Sequence, residues 1–189
     1  FGQRSQPVTP YVCVPRHASE TRRFFPTALF EPDVICGDAN FEADDPDGLA
    51  FAAISSSAFI TWQRTIGGRL ESRLRFSNTL TWNTFPLPAL SDEQRKAIIA
   101  GGKAVLEARA MYPERSLADH YNPLAMAPDL LRAHRQLDAA VDKTLGLRGT
   151  VTEDARLRAL FTSYRELITA NELAMPAKTP RRRSAKTSA

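Results

Sequence analysis

The apolar residues change rhythm near Pro88. Before it they gather in short runs separated by turn-forming residues, a pattern that predicts strands at Val8–Pro15, Arg23–Phe30, Asp33–Ile35, Leu70–Phe76 and Leu80–Phe85. One helical stretch interrupts them. Ser55–Ile66 sets Phe59, Ile60, Trp62 and Ile66 at helical spacing, Ser55, Ser56 and Ser57 open it, and Gly67-Gly68 stops it. After Pro88 the pattern is helical throughout. Ser91-Asp92-Glu93-Gln94 reads as a capping box ahead of Ile98, Ile99, Val105 and Leu106. Gly101-Gly102 weakens the middle of that helix by about 1 kcal/mol per glycine relative to alanine.

A second helix opens at Pro128, carries Leu131, His134, Leu137 and Val141, and ends at Gly146. A third follows the cap residue Thr152 with Leu157, Leu160, Phe161, Tyr164 and Ile168 on one stripe. These stripes predict a small bundle. The expected fold class is therefore α+β: a mixed α/β domain over residues 1–88, then a small all-α segment over 89–175. From residue 176 to 189 the chain is polar and basic, and is expected to be disordered.

Composition narrows the class. A chain of 189 residues with 43% hydrophobic content can bury a core. It contains no run of eighteen apolar residues to span a membrane, and its start lacks the features of a secretory leader, so a cytoplasmic location is expected. Cys13 and Cys36 sit in apolar surroundings and read as buried free thiols. His17, His120 and His134 are scattered, with no spacing that suits a metal.

The net charge of +4 changes meaning once it is located. The tail from Lys178 holds five of the 25 cations and no acid, which leaves 20 cations facing 21 acids in the rest. Residues 1–90 contain arginine but no lysine, and arginine favours planar, bidentate recognition. Four arginines meet one glutamate in residues 1–30, and the same ratio recurs in 61–90, while acids collect from Glu31 to Asp47.

Several candidate chemistries fail on spacing. The stretch "GDANFEADDPDG" suggests a calcium loop, but Ala43 and Leu49 stand where that loop needs Gly and Glu. The three serines lack a nucleophile elbow, and Gly67-Gly68 lacks the pattern of a phosphate-binding loop. No catalytic residue is predicted. The tail "PRRRSAK" offers nonspecific attraction to phosphate or simple solvation. In "PRHASETRRF", Arg16, Glu20, Arg22 and Arg23 form either a surface ion-pair cluster or a set of groups for phosphates and base edges.

The stretch "GGRLESRLRFSN" carries the sharpest pattern. A strand over 70–76 puts Glu71, Arg73 and Arg75 on one face, and Leu70, Ser72, Leu74 and Phe76 on the other. Glu71 beside an arginine is then either a surface ion pair or a reader of one C·G pair. In the second case the carboxylate accepts from cytosine N4 and the guanidinium donates to guanine O6 and N7.

Three blocks carry a resemblance: "YVCVPRHASETRRFFP", "SSSAFITWQRTIGGRLESRLRFSNTLTWNTFPLP" and "SLADHYNPLAMAPDLLRAHRQLDAAVD". Together they resemble the C-terminal portion of MmeI-like DNA methyltransferases. These are large adenine-specific enzymes, some fused to a nuclease as type IIL restriction–modification proteins. The resemblance runs from Val8 to about Ile168 and leaves the basic tail outside. It implies a target recognition domain followed by a helical C-terminal domain, with double-stranded DNA and an upstream methyltransferase domain of the same chain as partners.

Relatives carry Lys and Asp at the positions of Glu71 and Arg73, an exchange that reverses donor and acceptor, so the resemblance assigns these two residues to base reading. Arg16, Glu20, Arg22 and Arg23 match a "PRxSSExR" block, with Ala18 in place of the usual Ser. Arg64, Arg69 and Arg75 are expected on the DNA backbone or neighbouring bases, and Trp62, Trp82 and Phe85 in the core. The Asn-Pro-Pro-Tyr/Phe motif of such enzymes is missing, since Asn122-Pro123 is followed by Leu124. S-adenosylmethionine is therefore expected upstream, with no cofactor in this stretch. The rival reading is a docking domain for protein, whose binding would lack the steep salt dependence of a DNA contact.

Overall fold

Strand β1 (Tyr11–Pro15) has Tyr11, Val12, Cys13 and Val14 buried in succession, so both of its faces are covered. In the computed structural model, which describes residues 6–174, it is the middle strand of an antiparallel sheet between β3 (Ala28–Phe30) and β4 (Asn40–Asp44). Val12 stands opposite Leu29 on one side and Ala43 on the other. At Arg16 the chain changes sheets. The Arg16 amide donates to Ala39 O at 3.0 Å, and its carbonyl accepts from Phe76 N at 2.9 Å. Beyond it, β2 (His17–Ala18) joins a second antiparallel sheet, ordered β2-β6-β5, with β5 at Gly68–Leu70 and β6 at Arg73–Arg75.

Two expected strands are absent and two are shortened, Val8–Pro15 to Tyr11–Pro15 and Arg23–Phe30 to Ala28–Phe30. Asp33–Ile35 forms a turn closed by Val34 N to Glu31 O, with the Val34 carbonyl taken by Tyr11 Oη at 2.8 Å. Only Ala28–Phe30 of the longer expected run is a strand, although Phe24 and Phe25 are buried from an irregular segment. Leu80–Phe85 gives way to a π-helical turn, Asn78–Trp82. There Ser77 Oγ caps Leu80 N, and Thr81 Oγ1 donates to Ser77 O at 2.6 Å. Hydroxyl side chains that bond locally compete with strand pairing. The acidic stretch that suggested calcium holds an edge strand, β4, and a cap. Asp45 accepts from Ala50 N and Phe51 N at 2.9 and 2.7 Å and opens the short helix α1 (Leu49–Ile54).

Helix α2 (Ser57–Ile66) starts at Ser56, whose hydroxyl caps Phe59 N, and it buries Phe59, Ile60 and Trp62. The capping box at Ser91 forms as expected and opens α3 (Asp92–Ala110). A short α4 (Leu117–His120) precedes α5 (Pro128–Thr144) and α6 (Glu153–Ala174). On α6 the expected stripe is only partly core. Leu160 is fully buried, while Phe161 and Ile168 remain about 40% exposed, and Phe161 and Tyr164 lie against Trp62 with ring centroids 5.3 and 5.5 Å away. The fold is α+β, and one apolar cluster runs from Val12 to Val141 across Pro88.

The glycine pair in α3 is a packing seat. A Cβ on Gly101 would lie 2.9 Å from Leu137 Cα of α5, and one on Gly102 would lie 2.7 Å from Ala52 Cβ of α1. Both neighbours reach the α3 backbone because no side chain stands between them. Gly102→Ala therefore sets a propensity gain of about 1 kcal/mol against an overpacking loss of about 1–3 kcal/mol. The expected outcome is a net loss in urea unfolding.

A buried cation ties the C-terminal helices to the first half. Arg109 of α3 donates to Thr27 O at 2.7 Å and to Tyr121 Oη at 3.0 Å. Tyr121 Oη shares a hydrogen bond with His134 Nε2 at 2.8 Å, and Phe24 stacks on the His134 ring at 3.8 Å. Burial, reinforced by the Arg109 charge, holds the His134 imidazole down at about 3 from its ordinary 6.5. The unfolded chain takes up this proton near pH 6.5 and the folded one only near 3, so acid favours unfolding across that window. The slope is about 1.4 kcal/mol per pH unit. His134→Gln keeps a partner for Tyr121 and removes the titration; its stability should fall less steeply than wild type between pH 6.5 and 4 in urea unfolding.

Candidate nucleic-acid interface

Strands β5 and β6 form a hairpin whose tip is Glu71-Ser72, between the paired residues Leu70 and Arg73. The single strand expected over 70–76 is thus folded back on itself. Glu71 leaves the face it was expected to share and stands at the tip, while Arg73 and Arg75 keep a common exposed face opposite buried Leu74. Doubling back pairs Gly68 with Arg75, which satisfies backbone groups that a lone strand would leave bare. The turn requires Glu71 at φ 58°, the only positive φ at a residue other than glycine among the described residues. Such a conformation costs an L-residue about 1–2 kcal/mol.

The tip holds an acceptor beside a donor. Glu71 Oε2 and Arg73 Nη2 are 3.0 Å apart, with side chains 76% and 48% exposed. Arg69 Nη1 donates to Ser72 O at 3.2 Å and clasps the turn from the other strand. Because β2 pairs with β6, His17 lies opposite Arg75 and brings Arg16 to the same region. A cleft of about 300 Å³ opens there, lined by Arg16, His17, Phe41, Arg75, Phe76 and Leu80, with no carboxylate on its wall. The Arg16 guanidinium lies over the Phe41 ring at 4.8 Å, which pins its plane and leaves edge N–H groups to donate. A concave basic wall of this kind concentrates positive potential.

The remaining candidates lie on the loop after β2 and on α2. Glu20 is half-buried and Arg23 is exposed, and neither makes an ion pair among the described residues. Arg22 and Arg64 have donors committed inside the fold. Arg22 Nη1 donates to Ala118 O at 2.7 Å. Arg64 donates to Arg22 O at 2.7 Å and pairs with Glu153 of α6 at 3.0 Å. Arg23 and Arg64 line a smaller cleft with Glu153 and Arg156. The basic tail, including Lys178 and Arg181, lies outside the described residues.

One residue of consequence escaped the sequence pattern. Gln63, fully buried on α2, donates from Nε2 to Arg75 O at 2.9 Å, and its Oε1 has no partner. An unpaired buried acceptor costs about 1–3 kcal/mol. The signal was present: Gln63 is a polar residue between Phe59 and Ile66 on the apolar stripe of α2.

Comparison with known proteins settles the class. The family model described as MmeI, target recognition domain, matches residues 1–89, and that described as MmeI, C-terminal domain, matches residues 90–174. The chain belongs to the MmeI family. A solved structure of the type IIL restriction–modification enzyme MmeI in complex with DNA is similar over 87% of this chain, with 41% identity and a TM-score of 0.82. DNA methyltransferase A of Bacillus subtilis (strain 168) is 30% identical over 158 residues, 82% of this chain. This MmeI-family chain spans 22% of the first relative and 18% of the second, about a fifth of their length.

The backbone at Glu71 gives a direct test. Glu71→Gly should be at least as stable as wild type, gaining up to about 1 kcal/mol from relieved strain. Glu71→Val, β-branched at a positive φ, should lose about 1 kcal/mol or more. Thermal unfolding of the two variants checks the order.

Proposed function

We propose that this chain is the DNA-reading part of a site-specific DNA adenine-N6 methyltransferase of the restriction–modification type, and that Glu71 and Arg73 read one base pair in the major groove. The observation that carries this reading is the exposed acceptor–donor pair at the hairpin tip, 3.0 Å apart. Parting two exposed charges costs only about 0–1 kcal/mol. A good contact to the correct base contributes about 1–3 kcal/mol of discrimination. The exchange of one partner for another at the DNA is therefore favourable. Cytosine N4 donates to the carboxylate while guanine O6 and N7 accept from the guanidinium.

Around this pair, Arg16, Arg69 and Arg75 supply contacts to backbone or neighbouring bases from the cleft and the hairpin. Glu20 and Arg23 add contacts from the loop after β2, and Arg22 and Arg64 support that loop from within. The division of labour follows the change of texture near Pro88, with DNA contacts carried by residues 1–88 and support by the helices over 89–175.

S-adenosylmethionine does not fit the basic cleft. Arg16 and Arg75 would repel its sulfonium, and no carboxylate is present to hold its ribose. Its site is proposed in a part of the full-length protein outside this chain, as is the methyl transfer on a base taken out of the stack.

The test is to map the methylated motif of the full-length protein by single-molecule sequencing, for wild type and for Glu71→Lys combined with Arg73→Asp. One position should change from C to G while the others hold. An unchanged motif with activity intact would reduce Glu71 to a surface ion-pair partner.

A further inference from the structure

We infer that Gln63 is a positioning residue for the reading hairpin: its buried side-chain amide, bonded to the Arg75 carbonyl, sets where the Glu71–Arg73 tip stands against the base pair. This rests on the reading of Glu71 and Arg73 proposed above. The hairpin has little of its own to hold it. All three residues of β5 are exposed, and β6 buries only Leu74. Its root is fixed by a two-residue pairing with β2, by Phe76 N on Arg16 O, and by Gln63 Nε2 on Arg75 O at 2.9 Å. Of these, the Gln63 bond ties the hairpin to a helix.

That helix is itself fixed. Asp138 of α5 accepts from Ser57 N and Ser57 Oγ at 2.7 and 2.6 Å, and Phe59, Ile60 and Trp62 are buried. A bond from a helix fixed in this way to the Arg75 carbonyl constrains the backbone of β6 two residues from Arg73.

Two details tie the amide to this bond. Gln63 Oε1 is buried without a partner, a defect that an apolar side chain of the same size would avoid. The amide in its other orientation would set Oε1 against the Arg75 carbonyl, acceptor against acceptor, so only one orientation makes the bond. Gly67 provides the room. A Cβ there would fall 1.9 Å from Gln63 Nε2 and 2.4 Å from Gln63 O, so only glycine at the end of α2 leaves room for both the amide and the helix backbone.

The experiment uses the full-length protein carrying Gln63→Met, which fills similar space without a donor, and separately Gln63→Leu, a second apolar side chain without a donor. Competition binding compares the cognate duplex with duplexes altered at one base pair each, and hydrogen exchange follows the amides of residues 68–75. In both variants, discrimination at the pair read by Glu71 and Arg73 should fall about tenfold, within the range that one base contact supplies. Discrimination at the other pairs should stay within about twofold, and hairpin exchange should quicken. A uniform loss at all pairs, or a lowered melting temperature with discrimination intact, would make Gln63 a purely structural residue and overturn the inference. If the Glu71→Lys, Arg73→Asp exchange moves the motif while Gln63→Met leaves discrimination unchanged, the inference alone falls. If that exchange leaves the motif unmoved, the hairpin reading falls and takes the inference with it.

Discussion

A guanidinium buried without a carboxylate is the constraint on which the rest of this structure depends. Arg109 is 8% exposed, and its partners are a carbonyl, a phenol and two ring faces. A charge so placed is tolerable only while its nitrogens are bonded, as Nε, Nη1 and Nη2 each are here, because no carboxylate pairs with it among the described residues. Its partners come from separated places: Thr27 from the end of the arginine loop, Tyr121 after α4, Phe51 from α1. The helices after Pro88 and the sheets before it therefore fold around the same buried charge. Arg22 on Ala118 O and Phe24 on His134 repeat the tie a few residues earlier in that loop.

From that scaffold outward the structure becomes progressively less determined by its core. Helix α2 is locked between Asp138 at its start and the aromatic rings of α6 along its side. The hairpin is locked at its root through Leu74 and Gln63. Its tip is held only by a salt bridge between exposed side chains and by Arg69 on the turn. Rigidity at the root gives the tip a defined place, and exposure frees its side chains to change identity without disturbing packing. The proposed reading of a base pair needs both properties: a misplaced donor loses the base edge, while a donor woven into the core cannot be exchanged for another.

The elements legible in the sequence were those whose signals are local. The capping box at Ser91, Pro128 at the start of α5 and Thr152 before α6 each mark a helix, and the structure agrees at all three. Strand β4 was illegible because its Asn, Glu and Asp residues have low strand propensity; it exists through pairing with β1, a contact distant in sequence. The hairpin was read as one strand because Glu71-Ser72 carries none of the glycine or asparagine that usually marks such a turn. Of the candidate site, the chemistry at Glu71 and Arg73 was visible as residue types. Their geometry was not, since it depends on a backbone conformation that a glutamate seldom adopts. Arg109 looked like an ordinary polar position on a helix and only burial sets it apart, whereas Gln63 stood on the apolar stripe of α2 but its partner, the Arg75 carbonyl, was not legible.

The two positions proposed to read the base pair are not equivalent in what they can become. Arg73 begins an extended strand, where any side chain is sterically acceptable, and its face is open. Glu71 sits at φ 58°, where β-branched residues are excluded and unbranched polar ones are merely strained. At φ 58° glycine is at ease, asparagine and aspartate are tolerated, and unbranched side chains such as Glu, Gln and Lys carry a modest strain, while position 73 accepts almost anything. Of these, Glu, Gln, Lys, Asn and Asp carry an acceptor, a donor or both, which is the chemistry a base edge requires. The turn therefore excludes β-branched groups from one proposed reading position and leaves the other free to complement it.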